Sequence, residues 1–402
     1  MKINLKNGDR SKWDTHSFDK IVNRIAETVD PNTTELDLYI GLEHIDAEDV
    51  HIRRTGKPSD VSGGKLRCYP NDVIFGKRRA YQRKAGIVTK AGICSAHSFV
   101  FRANENVISA KLLPFFLHSD QFMNKMIDIS VGGLSPTINW TDLKHQKFLL
   151  PPKAQQAELA DLLWSLDEVI EKDLELLEKL EVLLNNFIMN ETINFDLKNK
   201  TISEILKILK NTVGTTYLQN VGTFFKGKGI PKDDVLDKGI SCIRYGEIYT
   251  THHTMIREFK SFISDESASK SFKLEKGDII FAGSGETITE IGKSVCFNDN
   301  FDAFAGGDTI IFRPNKKTDA IYLSYLLNSL LIRLQLNKMG TGATVAHIYP
   351  ADLKKLIIPK IGFDKQNTIA FEVEEIYQNV KNLKSKIQSS KDLQKSLINQ
   401  LF

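Results

Sequence analysis

The chain has only four cysteines, Cys68, Cys94, Cys242 and Cys296, and they lie far apart. No C-x-x-C occurs, and no histidine stands at ligand spacing beside any of them. This excludes a zinc finger and a disulfide framework and fits a reducing compartment. Long hydrophobic runs are missing too. The longest apolar stretch, Ile321 to Leu336, is interrupted by Asn328 and Arg333 and reads as an amphipathic helix, not a membrane span. The opening MKINLKNGDRSKWD has no apolar core of a signal peptide, so a cytoplasmic protein is expected. Charge of one sign is scarce: the formal net charge is +4, so any basic face must be local. A Walker G-x-x-x-x-G-K-[ST] and the N-P-P-[YF] of base-amino methyltransferases are absent, and no nuclease-like Asp…Glu-x-Lys constellation stands out. Leu150 to Lys153, LPPK, lacks the asparagine. What is present is an ordinary folded composition, 41% apolar and 26% charged. Its length suffices for two or three domains.

The chain repeats itself. Asp72-Val73-Ile74-Phe75-Gly76 matches Asp278-Ile279-Ile280-Phe281-Ala282; Phe99 to Arg102 matches Ile310 to Arg313; Asp142-Leu143-Lys144 matches Asp352-Leu353-Lys354. FLLPP at Phe148 to Pro152 answers LIIPK at Leu356 to Lys360, and Gln155-Gln156 answers Gln366. Tyr39 to Asp46 and Cys242 to Tyr249 hold equivalent places ahead of the Asp-Val-Ile-Phe-type strand. Helical patterns follow at Ala110 to Met126 and Asp319 to Lys338. The repeat predicts two copies of one unit, a β-rich domain and then a helix.

The stretch Asp278 to Thr287, DIIFAGSGET, has the strand-then-glycine look of a nucleotide loop. Its twin, DVIFGKRRAY, keeps the strand and loses the glycines. No third glycine stands at Ile288. Close backbone approach to a cofactor needs those glycines, so a turn at Ser284-Gly285 is expected, with no cofactor. Glu286 and Glu290 have no carboxylate twins. His44, His51, His252 and His253, without positioned acid partners, are expected to be surface or satisfied histidines.

Two stretches have helical heptad spacing. The first runs Leu159, Leu163, Leu166, Ile170, Leu174, Leu177, Leu180, Leu184, Phe187. The second runs Ile369, Val373, Ile376, Val380, Leu383, Ile387, then Leu393, Leu397, Leu401. Each helix would be about 50 Å long at 1.5 Å per residue, so each needs a partner along its length. Lys153 to Glu181 holds nine acidic and three basic residues, and Lys360 to Lys395 holds seven basic and five acidic. Antiparallel pairing would bring Lys381, Lys384, Lys386, Lys391 and Lys395 beside Asp161, Asp167 and Glu168. Leu159, Leu163, Leu166, Ile170, Leu177, Ile376, Val380, Leu383 and Ile387 are the expected seam.

The densest chemical signal is GKRRAYQRK, Gly76 to Lys84. Lys77, Arg78, Arg79, Arg83 and Lys84 crowd five like charges around Tyr81 and Gln82, which repel unless something anionic is near. Arginine and glutamine also read base edges bidentately. The bland alternative is a solvated hairpin. In the second copy Lys226, Lys228 and Lys232 make a weaker basic loop. Ser284, Thr287, Thr341 and Thr344 offer small donors to phosphates.

With these residues in view, the chain resembles the specificity subunit of type I restriction–modification systems. The duplicated architecture, Gly277 to Lys293, Gly340 to Gln366 and the long helix after each copy carry the likeness over essentially the whole chain. The first copy departs from the pattern, with Gly132-Gly133-Leu134-Ser135-Pro136 against Gly340-Thr341-Gly342-Ala343-Thr344. The resemblance implies an α+β fold: two tandem mixed α/β target recognition domains joined by two long antiparallel coiled-coil helices, in a pseudo-twofold repeat. The expected parts are recognition domain 1 at 1–152, spacer helix 1 at 153–190, recognition domain 2 at 191–358 and spacer helix 2 at 359–402. It further implies a non-catalytic bacterial or archaeal protein that reads bipartite double-stranded DNA, with no metal and no cofactor of its own. It would dock methyltransferase subunits, two expected, and restriction translocase subunits, which would carry S-adenosylmethionine, ATP and Mg. A coiled-coil scaffold binding protein, and a chain using Gly283 to Gly285 for S-adenosylmethionine, are the rival readings.

Overall fold

The computed structural model describes residues 10–193, 200–285, 291–339 and 346–402. The chain divides into two compact units: Met1–Glu175 with Lys384–Phe402, and Leu176–Leu383.

In the first unit a central antiparallel sheet runs, edge to edge, Val22–Ile25, Ser98–Ala103, Val73–Gly76, Ala85–Ile87. The apolar run at Val73 is continuous because both sheet faces are buried. Val73 and Phe75 turn into one core with Phe18, Phe101, Phe116 and Phe122, while Ile74 joins Ile40, Cys68, Cys94 and Val100 on the other face. A second sheet orders Thr28–Val29, Lys65–Cys68, Gly92–Cys94, Tyr39–Ile40. Its last pair is parallel.

The second unit repeats this plan. Its central sheet runs Gly222–Lys226, Thr309–Pro314, Asp278–Ala282, Ser294–Phe297. Ile279 and Phe281 face one core, Ile280 and Ala282 another. The second sheet shares three strands with its twin, Phe272–Lys273, Ala303–Ala305 and Ile240–Ile243, again with one parallel pair. The fourth strand differs. Ser261–Ile263 adds beside Ile240–Ile243, whereas Thr28–Val29 adds at the opposite edge in the first unit.

Two buried polar devices recur at matched positions. Asp72 and Asp278 are fully buried. Each accepts a two-pronged pair from an arginine on the neighbouring strand: Arg102 at 2.8 and 3.1 Å, Arg313 at 2.7 and 2.8 Å. Each also accepts the backbone N–H three residues earlier, Tyr69 or Glu275. The second device is glutamine. Gln156 accepts from Ser109 N–H at 2.7 Å and donates to Val107 and Pro151 carbonyls. Gln366 accepts from Asp319 N–H at 2.9 Å and donates to the Ile361 carbonyl. Each glutamine fastens the first turns of a long helix to the loop before a shorter one. The shorter helical segments break in two, as Leu113–His118 with Asp120–Asp128 and Ala320–Leu327 with Leu330–Met339. Ser119 caps the second piece in the first unit.

The long helices span Lys153–Ile193 and Phe363–Leu401. Within the first unit they run antiparallel: Asp173 meets Lys386 at 2.8 Å and Asp167 meets Gln394 at 3.2 Å. Leu159 and Leu163 share a core with Leu397, Ile398, Leu401 and Phe402. In the second unit Ile188, Met189 and Ile193 share a core with Ile369, Ala370 and Val373. Ile170, Val380, Leu383 and Ile387 are buried; Leu166, Leu177 and Ile376 are half-buried; Leu393 is exposed. The expected acids are mostly taken elsewhere. Glu168 pairs with Lys172 one turn away, Asp161 lies 3.9 Å from Lys111, and Asp167 faces His51. Asp173 takes the lysine instead, because it sits on the inward stripe.

The sheet domain of the first unit clamps onto its helix through His51 and Arg53. His51 Nε2 donates to Asp167 at 2.7 Å, with Glu171 at 4.0 Å, and Arg53 bridges Asp49 and Glu171. The Asp167 hydrogen bond, with Glu171 and Asp49 near, raises the His51 pKa. The bond's stabilisation is therefore fully present below the ordinary histidine value of about 6.5 and is lost as pH rises through the higher folded value. The stability gap between wild type and His51→Gln should be wider at about pH 6 than at about pH 9, as measured by urea titration at each pH. An aspartate in place of Ile170 should destabilise the first unit by roughly 3–5 kcal/mol, with a smaller loss at half-buried Leu166; chemical denaturation of both variants compares them.

Candidate nucleic-acid interface

The strand Val73–Gly76 delivers Lys77 to Lys84 at its end. The segment closes on itself, with Gly76 N–H donating to the Lys84 carbonyl at 2.9 Å. A single tight turn, Ala80–Gln82, is flanked by Arg79 at φ 57° and Arg83 at φ 52°. Side chains other than glycine are uncommon in this left-handed region, and tertiary bonds hold both. Arg79 N–H donates to the Pro136 carbonyl at 2.7 Å. The Arg83 guanidinium meets Glu48 at 2.8 Å and Asp120 at 2.7 Å and donates to the His118 carbonyl.

The basic stretch thus splits. Arg83 and Lys84 were expected among the outward cations, but the fold occupies both internally: Arg83 by two carboxylates, Lys84 by the Leu42 carbonyl at 2.6 Å. Gln82 is half-buried. Arg78, Arg79 and Tyr81 stand exposed, with Tyr81 at 53%. Lys77 lies half-buried over the Phe99 ring at 5.3 Å. Arg24, from the edge strand Val22–Ile25, covers the same ring at 5.4 Å and Trp140 at 5.6 Å. Burial, then the Arg24 charge, lowers the Lys77 pKa. Among the described residues no carboxylate pairs with Arg24, Lys77, Arg78 or Arg79. Arg24 lies over fifty positions before the basic run, and only the pairing of its strand with Ser98–Ala103 brings it there.

The partner of this segment is a short hairpin. Val131 and Thr137 exchange both backbone hydrogen bonds, and Arg78 bridges Thr137. The second unit makes the same pairing with different side chains: Ser284–Gly285 pairs antiparallel with Ala346–His347. The expected turn at Ser284-Gly285 is therefore extended strand, and it takes the place that Arg78 and Arg79 hold in the first unit. Its glycines have a packing reason. A Cβ at Gly283 would come 2.9 Å from the Asp308 carbonyl, and one at Gly285 would come 2.8 Å from the Tyr249 hydroxyl. Ser284 Oγ lies 3.1 Å from His347 Nδ1. Lys226, Lys228 and Lys232 are exposed, without a carboxylate partner among the described residues. Thr287, Thr341 and Thr344 lie outside the described residues, as do Glu286 and Glu290.

Among the described residues no group of three or more His, Cys, Asp and Glu could hold a metal ion. All four cysteines are free and buried, and burial pushes the Cys242 thiol up to about 12, far from a thiolate nucleophile. His44 accepts the Gly41 N–H at 3.0 Å. His252 is buried, which lowers its pKa, and His253 is exposed. His118, buried and donating to the Ala85 carbonyl at 3.0 Å, is held down to about 4. Among the described residues no helix is long and apolar enough to cross a membrane. What the first unit offers chemically is a rigid cationic platform without counter-charge, edged by an exposed tyrosine.

Comparison with known proteins agrees with this chemistry. A family model described as type I restriction modification DNA specificity domain matches residues 64–182. The type I restriction enzyme StySPI specificity subunit of Salmonella potsdam is 25% identical over 131 residues, 32% of this chain; the match spans 27% of that protein's length. A putative type I restriction enzyme MjaX specificity subunit of Methanocaldococcus jannaschii is 22% identical over 386 residues, covering 90% of this chain and 85% of that one. In fold, the crystal structure of a type I restriction-modification S subunit from M. genitalium matches with a TM-score of 0.58 at 14% identity, covering 100% of this chain and 98% of that one.

The two kinds of cation separate on stability. Arg83→Ala should cost roughly 1.5–3 kcal/mol, the worth of hydrogen bonds to charged groups. Arg78→Ala should stay within about 0.5 kcal/mol of wild type. Thermal melts of the two variants give the comparison.

Proposed function

We propose, for a chain that belongs to the specificity-subunit family of type I restriction–modification systems, that each of its two units reads one half of a bipartite double-stranded DNA site. The observation that carries this is the cationic face of Arg24, Lys77, Arg78 and Arg79, which no carboxylate among the described residues compensates, and in which Arg78 and Arg79 hold the positions where the second unit places Ser284 and Gly285. One scaffold presenting different side chains at one position is what two readers of different sequences require. Cations facing phosphates set register, and side chains reaching base edges specify. In this reading Lys77 and Arg24, stacked on rings, face phosphates. Arg78, Arg79, Tyr81 and, in the second unit, Ser284, Lys226, Lys228 and Lys232 approach the duplex. Arg83 and Lys84 serve by shaping the segment.

The chain makes and breaks no bonds itself in this proposal. Methylation and cleavage, with S-adenosylmethionine, ATP and Mg, belong to methyltransferase subunits, two of them, and to restriction translocase subunits docked on the helices. The setting is the bacterial or archaeal cytoplasm, which suits four free thiols.

Randomised-site selection on the full chain, assembled with its partner subunits, tests the reading. Wild type should recover two specified half-sites separated by unread base pairs. Its affinity should fall steeply with salt as neutralised phosphates release counterions. Lys77→Ala should weaken all sequences alike and lower the salt slope by about one. Arg78→Ala or Arg79→Ala should cost about 1–3 kcal/mol on the selected site, as loss of a base-reading arginine does, with the second half-site's preference unchanged. A wild type that selects no sequence, or binds without salt dependence, would overturn the proposal in favour of a protein-binding scaffold.

A further inference from the structure

Leu134 is 98% exposed, yet its hairpin is firmly held. Val131 N–H donates to the Thr137 carbonyl at 3.1 Å and Thr137 N–H returns at 2.9 Å. The returning strand is then bonded to the basic segment: Ile138 N–H donates to the Lys77 carbonyl at 2.9 Å, and Arg79 N–H to the Pro136 carbonyl at 2.7 Å. Arg79 Nε adds a bond to Ser135 Oγ at 3.1 Å. Before the tip, Gly132 sits at φ 118°, a conformation that side chains rarely adopt, and a Cβ on Gly133 would meet nothing within 4 Å. The leucine therefore stands clear of the protein on a fixed mount, beside two arginines without counter-charge.

A lone exposed leucine needs no explanation on an ordinary surface. Here three features coincide: near-complete exposure, a mount bonded along its return strand, and adjacent guanidiniums that demand an anion. A partner that is polyanionic outside and apolar between its layers satisfies all three, and stacked nucleic-acid bases are such a partner. Proteins that kink DNA push Leu, Ile, Phe, Met or Pro between base steps while cations hold the backbone. We propose that Leu134 enters the base stack of the first half-site as an apolar wedge, with Arg78 and Arg79 beside it on the duplex. Val131, 59% exposed at the base of the hairpin, would cover the sugar edge beside it. This inference rests on the DNA-reading function proposed above. It adds a means by which the first unit senses how readily a base step opens, a selectivity that needs no base-edge hydrogen bond.

The test uses the full chain and duplexes carrying 2-aminopurine in turn at each position of the selected first half-site. Wild type should raise fluorescence at one step, where stacking is broken. Leu134→Ala should abolish that signal and bind roughly tenfold more weakly, since about 1.4 kcal/mol of lost apolar burial is tenfold. Its salt slope and melting temperature should match wild type. Leu134→Met should restore signal and affinity. If Leu134→Ala keeps wild-type affinity and signal, or if affinity falls while wild type shows no unstacking at any position, the wedge is wrong and DNA reading stands. If wild type itself shows no salt-dependent half-site binding, the DNA reading fails and the wedge with it.

Discussion

Two helices of 41 and 39 residues each carry an apolar stripe that neither can bury alone, and the rest of the fold answers that constraint. Isolated helices are marginal in water, and most helical stability in proteins comes from packing an amphipathic face. Each unit therefore lends its core to segments of both helices: Leu159 and Leu163 with Leu397 and Leu401 in one, Ile188 and Met189 with Ile369 and Val373 in the other. Gln156 and Gln366 fix where the helices begin, because a buried amide whose bonds are all made to backbone tolerates little movement. The β-domains are thereby mounted on the helices through bonded positions, not through tethers.

The repeat shows which features the scaffold requires and which are free. Both copies keep the buried aspartate with its arginine partner, the helix-start glutamine and the central sheet order. Removing the arginine would leave the fully buried Asp72 or Asp278 charge without its partner, which is costly, so neither copy can lose it cheaply. At the hairpin beside the central sheet the copies diverge, Arg78 against Ser284 and Thr137 against His347. That divergence is tolerated because these side chains lie outside the cores. It is also where two readers of different half-sites would have to differ. The glycines of Gly283-x-Gly285, which resemble a cofactor loop in one dimension, answer to neighbouring atoms in three.

Local pattern carried much of this. Heptad spacing marks most of the inward helix positions and matched motifs mark the two copies, so the central strands, the long helices and the internal repeat were legible in one dimension. The basic stretch was legible as a cluster of like charges for the same local reason. Contact between distant segments was not. Nothing in GKRRAYQRK distinguishes Arg79 from Arg83, and only the approach of Glu48 and Asp120 does. Arg24 could not be assigned to the cluster from its own surroundings in the chain. The helix charges show the same limit: an acidic bias is visible, but which acid meets a lysine depends on rotation about the helix axis, and the geometry selects Asp173. Heptad spacing likewise admitted Leu393, which the packing leaves exposed.

The sequence by itself determined the two-copy architecture, most of the inward stripe of each long helix, and the presence of a basic segment in the first copy, because each rests on spacing along the chain. Tertiary structure alone decided which cations remain without counter-charge, which acids moor the helix and where Leu134 stands. Those outcomes turn on distances between residues 37 to 347 positions apart, and no period in the chain encodes such distances.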